Sequence, residues 1–167
     1  MNVLDEEVFA VVLAISVVGS VLASALVLRP EVVEPFTALG LLDSSCRIGE
    51  YPREVYPGEE VELCVYVYNH MGYPILAQVR YKVVEPEDLP TNTTPSRAPT
   101  FKSITVLVPH RREVLRKVKL VIPPDTPRGE KVALVLELWL YDVRTSEWTY
   151  SGRWNHLYVR VLGVEFA

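Results

Sequence analysis

The chain has 167 residues, a formal net charge of −4 and a mean hydropathy of +0.16. It is long enough for one compact domain with its own hydrophobic core. Its 17 basic and 21 acidic residues are close to balance, which excludes the strongly basic surface typical of nucleic-acid-binding proteins. We therefore expect no nucleic-acid partner.

The first element in chain order is an uncharged stretch, residues 8–28, that follows an N-terminal tail, residues 1–7. A helix of this length spans roughly 31 Å, which matches the hydrocarbon core of a bilayer at about 30 Å. A cleaved signal peptide is the alternative, since Ala23-Ser24-Ala25 fits a small-x-small cleavage pattern. The acidic Asp5-Glu6-Glu7 precedes the stretch, however, where a signal peptide carries Lys or Arg. The sequence therefore predicts an uncleaved transmembrane helix over 8–28.

Small residues form a stripe along this predicted helix. Ser16, Ser20 and Ser24 recur every four residues, with Gly19 and Ala23 beside them. Stripes of this kind allow two transmembrane helices to approach closely. We expect the stripe to dock against another membrane helix; the alternative is a lone anchor in which the small residues are incidental.

The next segment, residues 29–45, is apolar but is interrupted by Pro30, Pro35 and Gly40. These residues disfavour a long helix. The segment is too apolar for a freely solvated linker. We therefore predict a connector that lies against the following domain or at the membrane interface.

Sequence features disagree about which side of the membrane holds the domain. Arg29 and Arg47 follow the helix and no basic residue precedes it, which by the positive-inside rule places the domain inside. Two cysteines, Cys46 and Cys64, instead suit one disulfide in an oxidising compartment, the alternative being two free thiols. Asn92-Thr93-Thr94 is an N-glycosylation sequon, although chance also produces such tripeptides. We predict a single-pass protein of the cell membrane with its soluble domain on the outer face.

Residues 46–167 carry the pattern of short β-strands. Val61, Leu63, Val65 and Val67 alternate with larger or polar residues, which is the period-two signature of a half-buried strand. Residues 131–141 are apolar on both faces, as in a central strand. Together the predicted strands are 61–68, 77–83, 101–108, 114–122, 131–141 and a last strand over 155–162. The sequence thus predicts an all-β fold, an Ig-like two-sheet β-sandwich of about seven strands preceded by one transmembrane helix.

Several local motifs resemble an archaeal family of membrane-anchored proteins known only as a domain of unknown function. The motifs are Phe36-Thr37-Ala38-Leu39-Gly40, Tyr51-Pro52-Arg53-Glu54-Val55, Asn69-His70 before Gly72-Tyr73-Pro74, and Arg153-Trp154-Asn155-His156-Leu157. The resemblance covers residues from about 36 to 162. It implies an Ig-like ectodomain and brings no catalytic residues with it.

Candidate chemistry is sparse in this sequence. His70 and His156 approach each other only if their strands pair, and two histidines without a third ligand make a poor zinc site. His110 lies in a separate turn. The sequence contains no Gly-x-Ser-x-Gly elbow, no glycine-rich phosphate loop and no CxxC pair. We expect a non-enzymatic protein without a metal or cofactor.

One cluster of basic residues stands out, around a predicted turn and the strand after it. A cluster of this kind suits anionic headgroups, glycans or an acidic partner, and the alternative is a solvated hairpin. Its members are His110, Arg111, Arg112, Arg116, Lys117 and Lys119.

The composition of the chain favours a binding or structural role. The leading hypothesis is an accessory or structural subunit of a cell-envelope or membrane protein assembly, with the lipid bilayer and other membrane or envelope proteins as partners. The alternative is a free-standing surface module for glycans or envelope polymers. Tyr141, Trp148, Tyr150 and Trp154 would stack on sugars in that case, although core packing or cross-strand pairing also explains them. Aromatic side chains lining one exposed face would favour the glycan binder.

Overall fold

The computed structural model describes residues 5–29 and 34–163. Residues 1–4 of the predicted tail, 30–33 of the predicted connector and 164–167 of the predicted sandwich lie outside the described residues. The chain forms two compact units, Met1–Glu34 and Pro35–Ala167.

The first unit contains the helix α1, Glu6–Val27, of 22 residues. Its most apolar window has a mean hydropathy of 2.5, and among the described residues it is the one helix long and apolar enough to cross a membrane. The hydroxyls of Ser16, Ser20 and Ser24 each donate a hydrogen bond to the carbonyl oxygen four residues earlier, at 2.8 Å. These serines therefore satisfy their polar groups within the helix.

The second unit is an Ig-like sandwich of two β-sheets, as predicted. One sheet has three strands in the order β1-β3-β6, and the other has five in the order β2-β8-β7-β4-β5. All neighbours are antiparallel except β2 and β8. The strands are β1 Phe36–Leu42, β2 Glu54–Val55, β3 Glu60–His70, β4 Ile75–Val84, β5 Lys102–Val108, β6 Arg112–Val121, β7 Lys131–Asp142 and β8 Glu147–Val161.

The main core lies between the two sheets and follows the alternation of the strands. Val61, Leu63, Val65 and Val67 of β3 are buried, as the period of two predicts. They belong to one cluster with inward-facing residues of the five-stranded sheet, among them Tyr81, Val132, Leu134, Leu136, Leu138 and Val159. Burial of these side chains removes apolar surface from water and is the main stabilising term of the domain.

The predicted connector over 29–45 ends too late. Residues 36–42 form the edge strand β1, which pairs with β3 from Phe36 opposite His70 to Leu42 opposite Cys64. Leu41 of this strand is buried. The sandwich therefore begins at Pro35 rather than at residue 46. The segment is apolar because it belongs to the domain.

The last strand also begins earlier than predicted, at Glu147 instead of 155. The register of β8 against β7 shifts after Leu138, where Ser151 and Gly152 form a bulge. Gly152 has a φ of +73°, which favours glycine. The glycine marks a bulge within one long strand, not a turn before a new one.

Cys46 and Cys64 form the predicted disulfide, with their Cα atoms 5.1 Å apart. The bridge joins the loop after β1 to the middle of β3.

Candidate binding face on the five-stranded sheet

Aromatic side chains of β7 and β8 share the outer face of the five-stranded sheet, away from the main core. Trp139 lies opposite Tyr150, and Tyr141 lies opposite Trp148. The ring centroids of these two pairs are 5.5 Å and 5.2 Å apart. Such distances are typical of cross-strand aromatic pairs that stabilise a sheet.

The same face continues beyond the bulge with Trp154, His156 and Tyr158. Their ring centroids are 5.3 Å apart between Trp154 and His156, and 4.7 Å apart between His156 and Tyr158. All of these rings are only partly buried. We call the whole set the aromatic face: Trp139, Tyr141, Trp148, Tyr150, Trp154, His156 and Tyr158.

Two cations lie over rings of the aromatic face. The guanidinium carbon of Arg80 is 3.9 Å from the ring centroid of Trp139. The ammonium of Lys131 is 4.0 Å from the ring centroid of Tyr158. Cation–π contacts at exposed sites contribute about 0.5–1 kcal/mol each.

A buried ion pair lies beside the aromatic face. The ammonium nitrogen of Lys82 is 3.1 Å from a carboxylate oxygen of Glu137, and the two residues are 4% and 0% exposed. Lys82 also donates to the carbonyl oxygen of Ser96 at 2.6 Å. Glu137 accepts from the backbone N–H of Ser96 at 2.7 Å and from Nε1 of Trp139 at 3.1 Å. Each charge is thus paired and hydrogen-bonded, which a buried charge requires.

The ion pair holds the segment 85–100, which we call the strap, across the outer face of the sheet. Its Leu89 and Ala98 cover a second small core made of Val84, Ala133 and Val135. This cover explains why β7 is apolar on both faces: the strap shields part of the outer face of the sheet, which would otherwise be exposed to water. The strap is therefore a packed part of the domain, not a freely solvated loop.

The strap also contacts the aromatic face directly. The hydroxyl of Tyr150 donates to the carbonyl oxygen of Thr91 at 2.8 Å. Burial, and secondarily the negative charge of Glu137, raise the pKa of Tyr150 from 10.0 to about 12. At Gly152 a Cβ atom would collide with the carbonyl oxygen of Asn92. Glycine is therefore required there by the close approach of the strap.

The predicted basic cluster does not form one surface. Alternation along β6 places Arg116 and Lys117 on opposite faces of the strand. Lys117 lies 3.9 Å from Glu62, and Lys119 lies 3.3 Å from Glu60, so β3 supplies acidic partners. His110 accepts a hydrogen bond from the backbone N–H of Gly72 at 3.0 Å. Arg111, which has a φ of +57°, lies in the β5–β6 turn, and Arg112 begins β6.

The three histidines do not assemble either. His70 is on β3 and His156 is on β8, in different sheets, so their strands do not pair. His70 instead lies near His110, with 5.3 Å between ring centroids. Among the described residues there is no group of three His, Cys, Asp or Glu side chains that could hold a metal ion.

The two other predicted sites, the sequon and the small-residue stripe, lie on exposed surfaces. Asn92 is exposed at the strap, where a glycan could be attached. The stripe of Ser16, Gly19, Ser20 and Ala23, with Ser24, lies on a helix in which no residue is buried.

The sequence reasoning missed the ion pair. Glu137 carried a signal, since it is a single acid between Leu136 and Leu138 in a run that is apolar on both faces. Lys82 carried none, because its position alternates like the polar Gln78 and Arg80 beside it.

No protein-family model matches this chain, and no curated protein matches it. Among solved structures, it is similar to the CARDB domain of a Pyrococcus furiosus protein. The solution structure of that domain is 15% identical, with 77% of this chain and 95% of that one covered and a TM-score of 0.47. The crystal structure of that domain with di-metal ions is 15% identical, with 77% and 89% covered and a TM-score of 0.44.

A sporulation control protein from Bacillus subtilis is 17% identical, with 76% of this chain and 49% of that one covered and a TM-score of 0.39. At TM-scores below 0.5, none of these similarities carries an inference about what this chain binds.

Proposed function

We propose that this protein is a non-enzymatic, membrane-anchored β-sandwich on the outer face of the cell membrane, and that its aromatic face binds a glycan or envelope polymer. The single observation that carries the proposal is that seven partly exposed rings lie on one face of β7 and β8. The helix α1, the disulfide and the exposed sequon support the location.

The chemistry of the aromatic face suits sugars. A pyranose ring presents C–H groups on one side and hydroxyls around its rim. Half-buried Tyr and Trp rings offer apolar area together with a polar edge, at a low cost in conformational entropy. Cross-strand pairing and the strap fix the rings before a ligand arrives, and such preorganisation reduces the cost of binding.

A role as an accessory or structural subunit of a cell-envelope or membrane assembly is the second candidate. It is favoured by Leu107 on the edge strand β5, which is 64% exposed beside the 36% exposed Leu76 of β4. An exposed apolar edge strand is a natural place for a partner strand to add.

Tryptophan fluorescence tests the binding proposal, because all three tryptophans, Trp139, Trp148 and Trp154, lie on the aromatic face. The detergent-solubilised full chain would be titrated with oligosaccharides prepared from envelopes of its own cells. We expect a saturable change in emission. Calorimetry, which does not depend on the tryptophans, should show that binding is lost in the double variant Trp148→Ala/Trp154→Ala. Tyr73→Ala serves as the matched control, since Tyr73 is an exposed aromatic residue outside this face.

A titration that leaves the emission unchanged contradicts glycan binding at this face. A stoichiometric set of membrane proteins that co-purifies with the chain in mild detergent would support the subunit role instead.

The location is tested on the chain isolated from its own membranes. We expect it to resist extraction by alkaline carbonate and to lose mass when Asn92 is changed to Gln. Release by carbonate contradicts the anchor. If Cys46 and Cys64 react rapidly with an alkylating agent without prior reduction, they are free thiols, and this result contradicts a location in an oxidising compartment.

A further inference from the structure

Three basic side chains converge at one end of the aromatic face. Lys131 begins β7 and lies directly opposite Arg160 of β8, and Arg53 immediately precedes β2. Together they line an open cleft of about 410 Å³, which we call the cationic cleft. Its lining residues are Arg53, Glu54, Lys131, Tyr158, Val159 and Arg160.

The charges of the cationic cleft are unbalanced. Like charges opposite each other on neighbouring strands destabilise a sheet, and Lys131 and Arg160 are such a pair. Glu54, the one acid in the lining, lies opposite Arg160 on the other neighbouring strand, β2, and Glu50 lines the cleft next to it. The three basic residues of the lining still outnumber its one acid. Within the described residues, no carboxylate lies within ion-pair distance of Lys131, Arg160 or Arg53. The positive charge is therefore available to a ligand.

Tyr158 joins the cationic cleft to the rest of the aromatic face. Its ring forms an edge-to-face pair with His156, and the ammonium of Lys131 lies over it. It also borders the neighbouring cleft, about 560 Å³, formed by residues 49–53 with Leu157. A sugar at Tyr158 would therefore lie beside the three basic side chains, which line the same cleft.

We propose that the cationic cleft selects glycans that carry acidic groups. The carboxylate, sulfate or phosphate group of a sugar draws the ammonium of Lys131 away from the ring of Tyr158 and accepts hydrogen bonds from Lys131, Arg160 and Arg53. The sugar ring then packs against the face of Tyr158 that Lys131 has left. Arg and Lys donors to an anionic acceptor make charge-assisted hydrogen bonds, roughly twice as strong as neutral ones. This inference rests on the proposed function and adds the class of ligand to it.

The cationic cleft lies at one end of the sandwich. Strand β1 begins at Phe36, opposite His70, and a short turn then leads into β4 at Ile75. Lys131 lies near the other end of β4, two residues beyond the pair Val84–Ala133. Within the sandwich, the cleft is therefore at the end opposite to the start of β1.

The test uses the full chain in phosphatidylcholine nanodiscs, with oligogalacturonate as an acidic probe and its carboxyl-reduced form as a neutral one. We expect roughly tenfold tighter binding of the acidic probe, measured by tryptophan fluorescence and calorimetry. We expect this preference to decrease with added salt and to disappear in Lys131→Gln/Arg160→Gln. Both residues are exposed, so the variant should fold, and its melting temperature verifies this.

The matched control is Arg116→Gln/Lys117→Gln, which removes two exposed charges from the other sheet and should keep the preference. If Lys131→Gln/Arg160→Gln prefers the acidic probe as strongly as the wild-type chain does, the inference is overturned. The proposed function still stands in that case if Trp148→Ala/Trp154→Ala abolishes binding. Failure of the wild-type chain to bind either probe overturns the inference, and it overturns the proposed function as well if the chain also fails to bind the envelope oligosaccharides. Co-flotation with phosphatidylglycerol vesicles without binding of oligogalacturonate overturns it in favour of a lipid headgroup.

Discussion

Replacement of Lys82 by Met should unfold the strap and lower the stability of the whole domain. Lys82 holds the strap through Ser96 and is the one basic side chain within ion-pair distance of the buried Glu137, in the part of the chain that the structure describes. Methionine has a similar length but no charge. In the variant, Glu137 keeps its hydrogen bonds from Ser96 and Trp139, but its negative charge is buried without a counter-ion.

The expected loss follows from this burial. Removing one partner of a buried ion pair destabilises proteins by about 3–5 kcal/mol, because the other charge stays desolvated. For a domain of this size, 1 kcal/mol corresponds to about 4 °C in melting temperature, so the melting temperature should fall by roughly 12–20 °C. The strap should also open locally, which exposes the peptide bond after Arg97.

Two measurements on the full chain in detergent check this expectation. Circular dichroism gives the melting temperature, and limited trypsin digestion gives the rate of cleavage after Arg97. The control is Lys119→Met, which breaks an exposed pair with Glu60 and should cost at most about 1 kcal/mol. If Lys82→Met melts within a few degrees of this control and is cleaved no faster at Arg97, the ion pair does not hold the strap.

Three further predictions concern the disulfide, the bulge and alkaline pH. The double variant Cys46→Ala/Cys64→Ala lacks a cross-link over a sequence separation of 18. Its free energy of unfolding, measured with denaturant, should be about 3 kcal/mol lower. Gly152→Ala should destabilise the domain more than Gly58→Ala does. Both glycines have a positive φ, but an added Cβ has no neighbour at Gly58, whereas at Gly152 it would collide with the strap. Stability should fall as pH rises from about 10 through 12, because folded Tyr150 keeps its proton where the unfolded chain loses it. In Tyr150→Phe this fall should become shallower, while about 1 kcal/mol is lost at neutral pH with the bond to Thr91; an unchanged pH profile would contradict the assignment.

Sequence periodicity predicted the inner face of the sandwich where a strand is long and half-buried. Val61, Leu63, Val65 and Val67 alternate because successive side chains of a strand point to opposite faces. The uncharged stretch predicted α1 for a similarly local reason, since length and apolarity depend on no other part of the chain. Strand β1 was missed because Phe36–Leu42 shows no clean alternation, and its pairing with β3 alone makes it a strand.

Contacts between distant residues explain the other differences. The last strand was predicted to begin at residue 155, whereas it runs from Glu147 through a bulge at Gly152, where Asn92 of the strap approaches closely. Arg116 and Lys117 are adjacent in sequence and point to opposite faces of β6, while Lys131 and Arg160 are far apart and lie opposite each other. A cluster in sequence is thus a poor guide to a cluster on a β-sheet.

The sequence by itself determined the apolar helix, the β-rich domain and the two cysteines that can bridge, because each depends on local composition or on a simple period. Only the tertiary structure decided which rings share a face, which charges are buried and which basic residues converge. Strand order and register decide these points. The order and register themselves arise from contacts between residues as distant in sequence as Lys82 and Glu137. The candidate binding face is a product of those pairings, and no single segment of the chain encodes it.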